Sequence, residues 1–112
     1  MGLSIFMEQS GDKHILRLKG KMDAQTLSAL ENEIESLFLA QHKKVLLDCS
    51  EFELSLDGLH MLDTETKKFS GINGILGLCN LRDDQMKIIQ TSGLHRHLLI
   101  YPNESEALSA MG

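Results

Sequence analysis

The chain has 112 residues, 42% of them hydrophobic, which is enough apolar surface for one core and too little length for two, so residues 1–112 are expected to form a single domain. Its 16 acidic and 11 basic residues leave a formal charge of -5. No Lys/Arg stripe could track a phosphate backbone, which argues against nucleic acid and anionic membrane surfaces as partners.

Leu3 to Glu8 and His14 to Leu18 alternate apolar with polar side chains around the turn residues Ser10-Gly11-Asp12, the pattern of a β-hairpin and hence of an antiparallel edge. After Gly20, Asp23 can cap a helix whose apolar positions Leu27, Leu30, Ile34, Leu37 and Phe38 recur every three or four residues. The short run Val45-Leu46-Leu47 suits a central strand covered on both faces, and Asp48 to Leu56 reads as the loop after it. From Asp57, the positions Leu59, Leu62, Thr66 and Phe69 share one helical side, with Gly71 and Gly74 at its end. Ile75 to Leu78 gives another strand. Asp83 or Asp84 can start a third helix with Met86 and Ile89 inward, stopped by Gly93. Leu98 to Tyr101 reads as a last strand, and Pro102-Asn103-Glu104-Ser105 opens a closing helix that ends near Met111. The predicted fold class is therefore α/β: a mixed, mostly parallel sheet of about five strands with four helices.

Little in this order supports chemistry. Asp48, Asp57, Asp63, Asp83 and Asp84 are carboxylates that could hold Mg²⁺ and a phosphoryl group, but the acid pair falls late in the chain and Tyr101-Pro102 stands where a receiver-type site needs Lys. Ser55, His60 and Asp63 form a nucleophilic triad only on paper, because His60 and Asp63 lie on one helix. Cys49 and Cys79 lack CxxC spacing, and of the histidines only those of His95-Arg96-His97 are neighbours. No catalytic residue, metal or cofactor is expected. The chain offers neither a basic segment leading into a long apolar run nor about 18 consecutive apolar residues, so a cytoplasmic protein without membrane insertion is expected.

The junction at Asp57-Gly58-Leu59 stands apart, because a helix leaving a central strand begins at the sheet end where α/β folds gather ligands and partners. Ser55, Leu56, Asp57 and Gly58 are expected to be exposed there, with Asp57 capping the helix or complementing its dipole.

Several pieces together resemble a known family. Leu18-Lys19-Gly20-Lys21-Met22-Asp23-Ala24 is similar to a G-x-L-D-A segment, Val45-Leu46-Leu47-Asp48-Cys49-Ser50 to a strand ending in D-L-S, and Asp57-Gly58-Leu59 to the end of D-S-S-G-L. Ser92-Gly93-Leu94 and Glu106-Ala107-Leu108 complete the series. The chain thereby resembles, over nearly its whole length, the STAS domains of bacterial anti-sigma factor antagonists. The resemblance implies a non-enzymatic regulatory module that binds an anti-sigma factor or switch-kinase-like protein. Its partner surface would include Asp23, Ser50, Ser55, Leu56, Asp57, Gly58, Leu59, Ser92, Gly93 and Leu94.

In that family the Ser directly before Gly-Leu is phosphorylated by the partner kinase; here the position is Asp57, in a segment one residue shorter than usual. A carboxylate cannot accept a seryl phosphate. Asp57 therefore either imitates the phosphorylated state or marks a domain serving another partner, and Ser55 is an alternative modification site. The other roles the resemblance allows are a regulatory subunit of a lipid-transport ATPase or of a signalling assembly; the acidic residues alone leave a nucleotide- or Mg²⁺-binding domain as the competing reading. A homodimer is a further expectation.

Overall fold

The computed structural model describes residues 2–112, and its element order follows the predicted one. Strands β1 (Leu3–Ser10) and β2 (Lys13–Lys21) form the hairpin, followed by α1 (Ala24–Leu39), β3 (Lys44–Glu53), α2 (Leu56–Ser70), β4 (Ile75–Cys79), α3 (Asp83–Ser92), β5 (Leu99–Tyr101) and α4 (Glu104–Met111). A single 3-10 turn, Leu94–Arg96, links α3 to β5. The sheet order is β1-β2-β3-β4-β5, with β1 antiparallel to β2 and every later pairing parallel.

Helices cover both faces of this sheet. On one face α1, α2 and α3 pack Leu30, Ile34, Leu59, Leu62, Phe69 and Ile89 onto Leu16, Val45, Leu47 and Leu78. On the other, α4 alone packs Ala107 and Met111 onto Ile15, Leu46 and Cys79. Val45, Leu46 and Leu47 are wholly buried because β3 lies in the middle under both layers. A Cβ on Gly77 of β4 would come within 2.9 Å of the Tyr101 ring and 3.3 Å of Met111, so glycine there lets α4 settle on the sheet.

The smaller face is pinned by ions. Arg17 on β2 reaches Glu8 on β1 (2.7 Å), Asp48 on β3 (3.0 Å) and Glu104 at the start of α4 (2.7 Å). Its guanidinium is held strongly in the charged form, first by Glu8 and then by Glu104. Burial pushes the Asp48 carboxyl up, but hydrogen bonds from Asn80, Ser50 and Arg17 outweigh that and hold it below its ordinary range.

The expected loop from Asp48 to Leu56 is a correction. β3 runs on to Glu53, and only Leu54 and Ser55 separate it from α2. Arg17 pairs with Asp48 but Lys19 pairs with Glu51, so β3 carries one extra residue, a β-bulge. The bulge shifts the alternation: Cys49 faces the three-helix core, and so does Phe52.

Candidate functional site

The site grows from the way α2 begins. Ser55, extended at φ -116° and ψ 162°, is the helix N-cap, and its hydroxyl accepts a hydrogen bond from the Gly58 amide at 3.1 Å. Of the two roles expected for Asp57, cap or dipole partner, the second holds: it is the second helical residue, exposed in the first turn, where a carboxylate complements the positive end of the helix dipole.

Gly58 was expected to be exposed and is buried. A Cβ there would lie 1.7 Å from the Met22 sulfur and 2.8 Å from its methyl carbon, so glycine leaves room for the buried Met22 thioether where α2 seats against the turn that leads out of β2. Leu59 follows into the core, fully buried. The Asp-Gly-Leu triplet thus splits by function: Asp57 faces out, while Gly58 and Leu59 hold the helix down.

Leu56, the first helical residue, points outward and is 54% exposed. Beside it runs α3, where buried Gln85 donates to the Phe52 carbonyl and accepts from the Arg82 amide at 2.9 Å, tying the helix to the end of β3. Gln85 and Ile89 face inward one turn apart, which turns Ile88 out to 39% exposure. Leu56, Ile88, Lys87, Thr91 and Ser92 line an open groove of about 400 Å³. Ile88, Lys87 and Thr91 were not among the predicted site residues. The signal was present, since adjacent Ile88 and Ile89 cannot both face the core of an amphipathic helix.

Of the other predicted residues only Ser92 lines this groove. Asp23 caps α1, accepting from the Gln25 (2.9 Å) and Thr26 (3.0 Å) amides, while its own amide donates to the Thr26 hydroxyl at 2.7 Å. The Thr26 amide above all holds its carboxyl below the usual range. It stands next to Met22, and so beside the start of α2. Ser92 donates to the Ile89 carbonyl at 2.6 Å and accepts from the Leu94 amide at 3.2 Å. Gly93 closes α3 at φ +80°, the left-handed conformation its residue type permits, and Leu94 is buried. Ser50 belongs to β3 instead of a loop; its carbonyl accepts from Arg82 at 3.0 Å.

The residues weighed for chemistry are dispersed. Asp63 pairs with Lys67 at 3.2 Å and lies 3.4 Å from His97. No group of three or more His, Cys, Asp or Glu able to hold a metal occurs among the described residues. Cys49 and Cys79 are free and buried, and burial pushes both thiols up, Cys79 to about 12. His14 and His42, far apart in the chain and without any motif between them, stack with ring centroids 4.2 Å apart. No helix among the described residues is long and apolar enough to cross a membrane.

What the geometry offers is a capped helix start bearing one exposed carboxylate and an adjoining apolar groove. No curated protein matches the sequence. Among solved structures, an anti-sigma factor antagonist from Mycobacterium paratuberculosis superposes with a TM-score of 0.87 at 24% identity, covering 97% of this chain and 93% of that one. The Bacillus cell fate determinant SpoIIAA in its phosphorylated form gives 0.73 at 16% identity, covering 97% and 100%. SpoIIAA in its unphosphorylated form, the anti-sigma factor antagonist, gives 0.79 at 16%, covering 96% and 95%. At these identities the likeness is one of fold. The sequence itself matches the STAS domain over residues 4–107, and the chain therefore belongs to the STAS domain family.

Proposed function

We propose that this STAS domain is a non-enzymatic regulatory module that docks an anti-sigma factor or switch-kinase-like protein through the start of α2 and the groove beside α3. The observation that carries the reading is Leu56, 54% exposed next to Asp57 and facing Ile88 across the groove. An apolar side chain held outward on a rigid, capped helix start is a suitable anchor for a partner.

Asp57 sets the control. Phosphoserine carries about 1.5 to 2 negative charges and three acceptor oxygens, whereas a carboxylate carries about one charge and two oxygens. Docking here is therefore independent of phosphoserine at residue 57, and Asp57 supplies a fixed, weaker form of the charge that a switch would add and remove.

The test is calorimetric titration of purified protein against the anti-sigma kinases encoded in the same cell. Leu56→Asp should weaken binding by about 2 kcal/mol or more, the cost of losing an interface anchor. Unchanged affinity in that variant sinks the reading. Asp57→Ser, incubated with the binding kinase and ATP, should gain one phosphate at residue 57 by mass spectrometry; its absence counts against a retained kinase-facing surface.

A further inference from the structure

The two edges of the sheet are built differently. β5 is short, Leu99–Tyr101, and runs into Pro102, which has no amide hydrogen to offer a further strand. β1 has eight residues, pairs with β2 in one unbroken register, contains no proline, and carries Glu8 as its only charge. At its centre Phe6 and Met7, on opposite faces, are each 56% exposed. Short length and a proline blunt β5, whereas β1 has neither of these nor a bulge, and carries a single charge.

Which backbone groups β1 presents follows from its turn. Gly11 and Asp12 form a two-residue loop with Gly11 at φ +61°, so Ser10 and Lys13 flank it as a hydrogen-bonded pair. Alternation then directs the amides and carbonyls of Ser10, Glu8, Phe6 and Ser4 toward β2. Those of Leu3, Ile5, Met7 and Gln9 point outward.

We propose that β1 is the edge on which a second copy of this chain pairs, antiparallel across a two-fold axis through Phe6. This register sets Phe6 against Phe6 of the second copy, Ile5 against Met7, Ser4 against Glu8 and Leu3 against Gln9. Every outward backbone group from Leu3 to Gln9 then meets its complement. Apolar faces apolar at the centre, and no like charges oppose each other. Glu8 of the second copy lies over Ser4 while keeping its own Arg17, and beyond Ser4 in the same row stands Lys19, two strand spacings or about 10 Å away, so the nearest charge across the seam is of opposite sign. A register centred on Met7 loses this match, because it sets Phe6 against Glu8. The faces at the centre are open, since α4 packs on β3, β4 and β5 and leaves Phe6 uncovered.

The contact is a single strand wide, so the dimer is weak and concentration-dependent. Sedimentation equilibrium of the full chain from micromolar to millimolar concentration should show a reversible monomer–dimer equilibrium. Phe6→Lys puts two ammonium groups face to face, and Met7→Pro removes an outward amide that β2 does not use. Each should raise the dissociation constant at least about tenfold. Circular dichroism verifies folding, and Phe6→Lys serves alone if the proline variant does not fold.

Register has its own readout. In Phe6→Cys the two thiols oppose each other in a non-hydrogen-bonded pair with Cα atoms about 4.5 Å apart, within disulfide range, so mild oxidation should link the chains. In Ser4→Cys they stand four residues apart along the strands, about 13 Å, and should not link. A monomer at all concentrations, a dimer indifferent to both β1 variants, or equal cross-linking of the two cysteine variants would each overturn the proposal.

Discussion

The two faces of the sheet are held by different forces. The three-helix face is a continuous apolar layer in which Leu30, Ile34, Leu59, Leu62, Phe69 and Ile89 are fully buried. The α4 face has a small apolar patch and depends on Arg17 to draw Glu8, Asp48 and Glu104 together. Hydrophobic burial is non-directional and is not weakened by charge screening, whereas a half-exposed ion network responds to salt and pH. The faces therefore fail under different conditions, and the helix over the weaker one should open first.

The largest effect should come from the apolar side. Phe69→Ala should lower the unfolding free energy in urea by about 3–5 kcal/mol, and the whole domain should melt as one unit. A loss confined to α2 would contradict the continuity of that layer. Arg17→Ala should cost about 1–3 kcal/mol by leaving the buried Asp48 carboxylate without its cation. Here the decisive signal is local: amides of α4 should exchange faster while those of α2 keep their protection.

Opposite pH slopes sharpen the contrast. On the apolar side, Glu65 of α2 lies buried against Glu35 of α1 and beside Lys68, and burial, reinforced by Glu35, pushes its carboxyl up to about 7. Glu35 itself is held down, first by its hydrogen bond with Glu65, so the pair keeps one proton. The folded chain then binds more protons than the unfolded chain between the ordinary carboxylate range and about pH 7, and stability falls as pH rises through that window. On the ionic side the Asp48 and Glu8 carboxyls are held below their usual range, so stability falls as pH drops through it. Glu65→Gln should raise the melting temperature by a few degrees at pH 8 and leave it unchanged at pH 5. Equal shifts at both pH values would break the assignment. The smallest expected change is Lys44→Met, which removes an exposed bridge to Asp12 and should move stability by less than about 0.5 kcal/mol in a urea melt.

The fold was legible because its signals are local and agree with one another. Asp23 reads as a cap and is one, Gly93 reads as a stop and adopts the left-handed conformation, and Val45-Leu46-Leu47 reads as a doubly covered strand. The reading failed where one element depends on another. Beyond Asp48 the bulge in β3 breaks the period-two pattern, and a broken pattern resembles a loop. Whether Asp57 caps α2 or only complements its dipole depends on where the backbone becomes extended, and that is at Ser55, which leaves Asp57 the dipole role. The groove was half legible: Leu56 and Ser92 were named, while Ile88 emerges only once Gln85 is seen to occupy the inward position.

Gly58 carries a consequence for how any mutational scan of this surface is interpreted. A methyl group at that position would meet the thioether end of the Met22 side chain, so Met22 must turn aside if the first turn of α2, with Leu56 and Asp57, is to keep its seat. Gly58→Ala would thus weaken binding at the proposed docking surface through the packing of Met22 even where the added methyl makes no contact with a partner. The seat of α2 on Met22 ties the proposed docking surface to the core beneath it, so an affinity map needs a thermal melt beside each variant to separate a lost contact from a displaced helix.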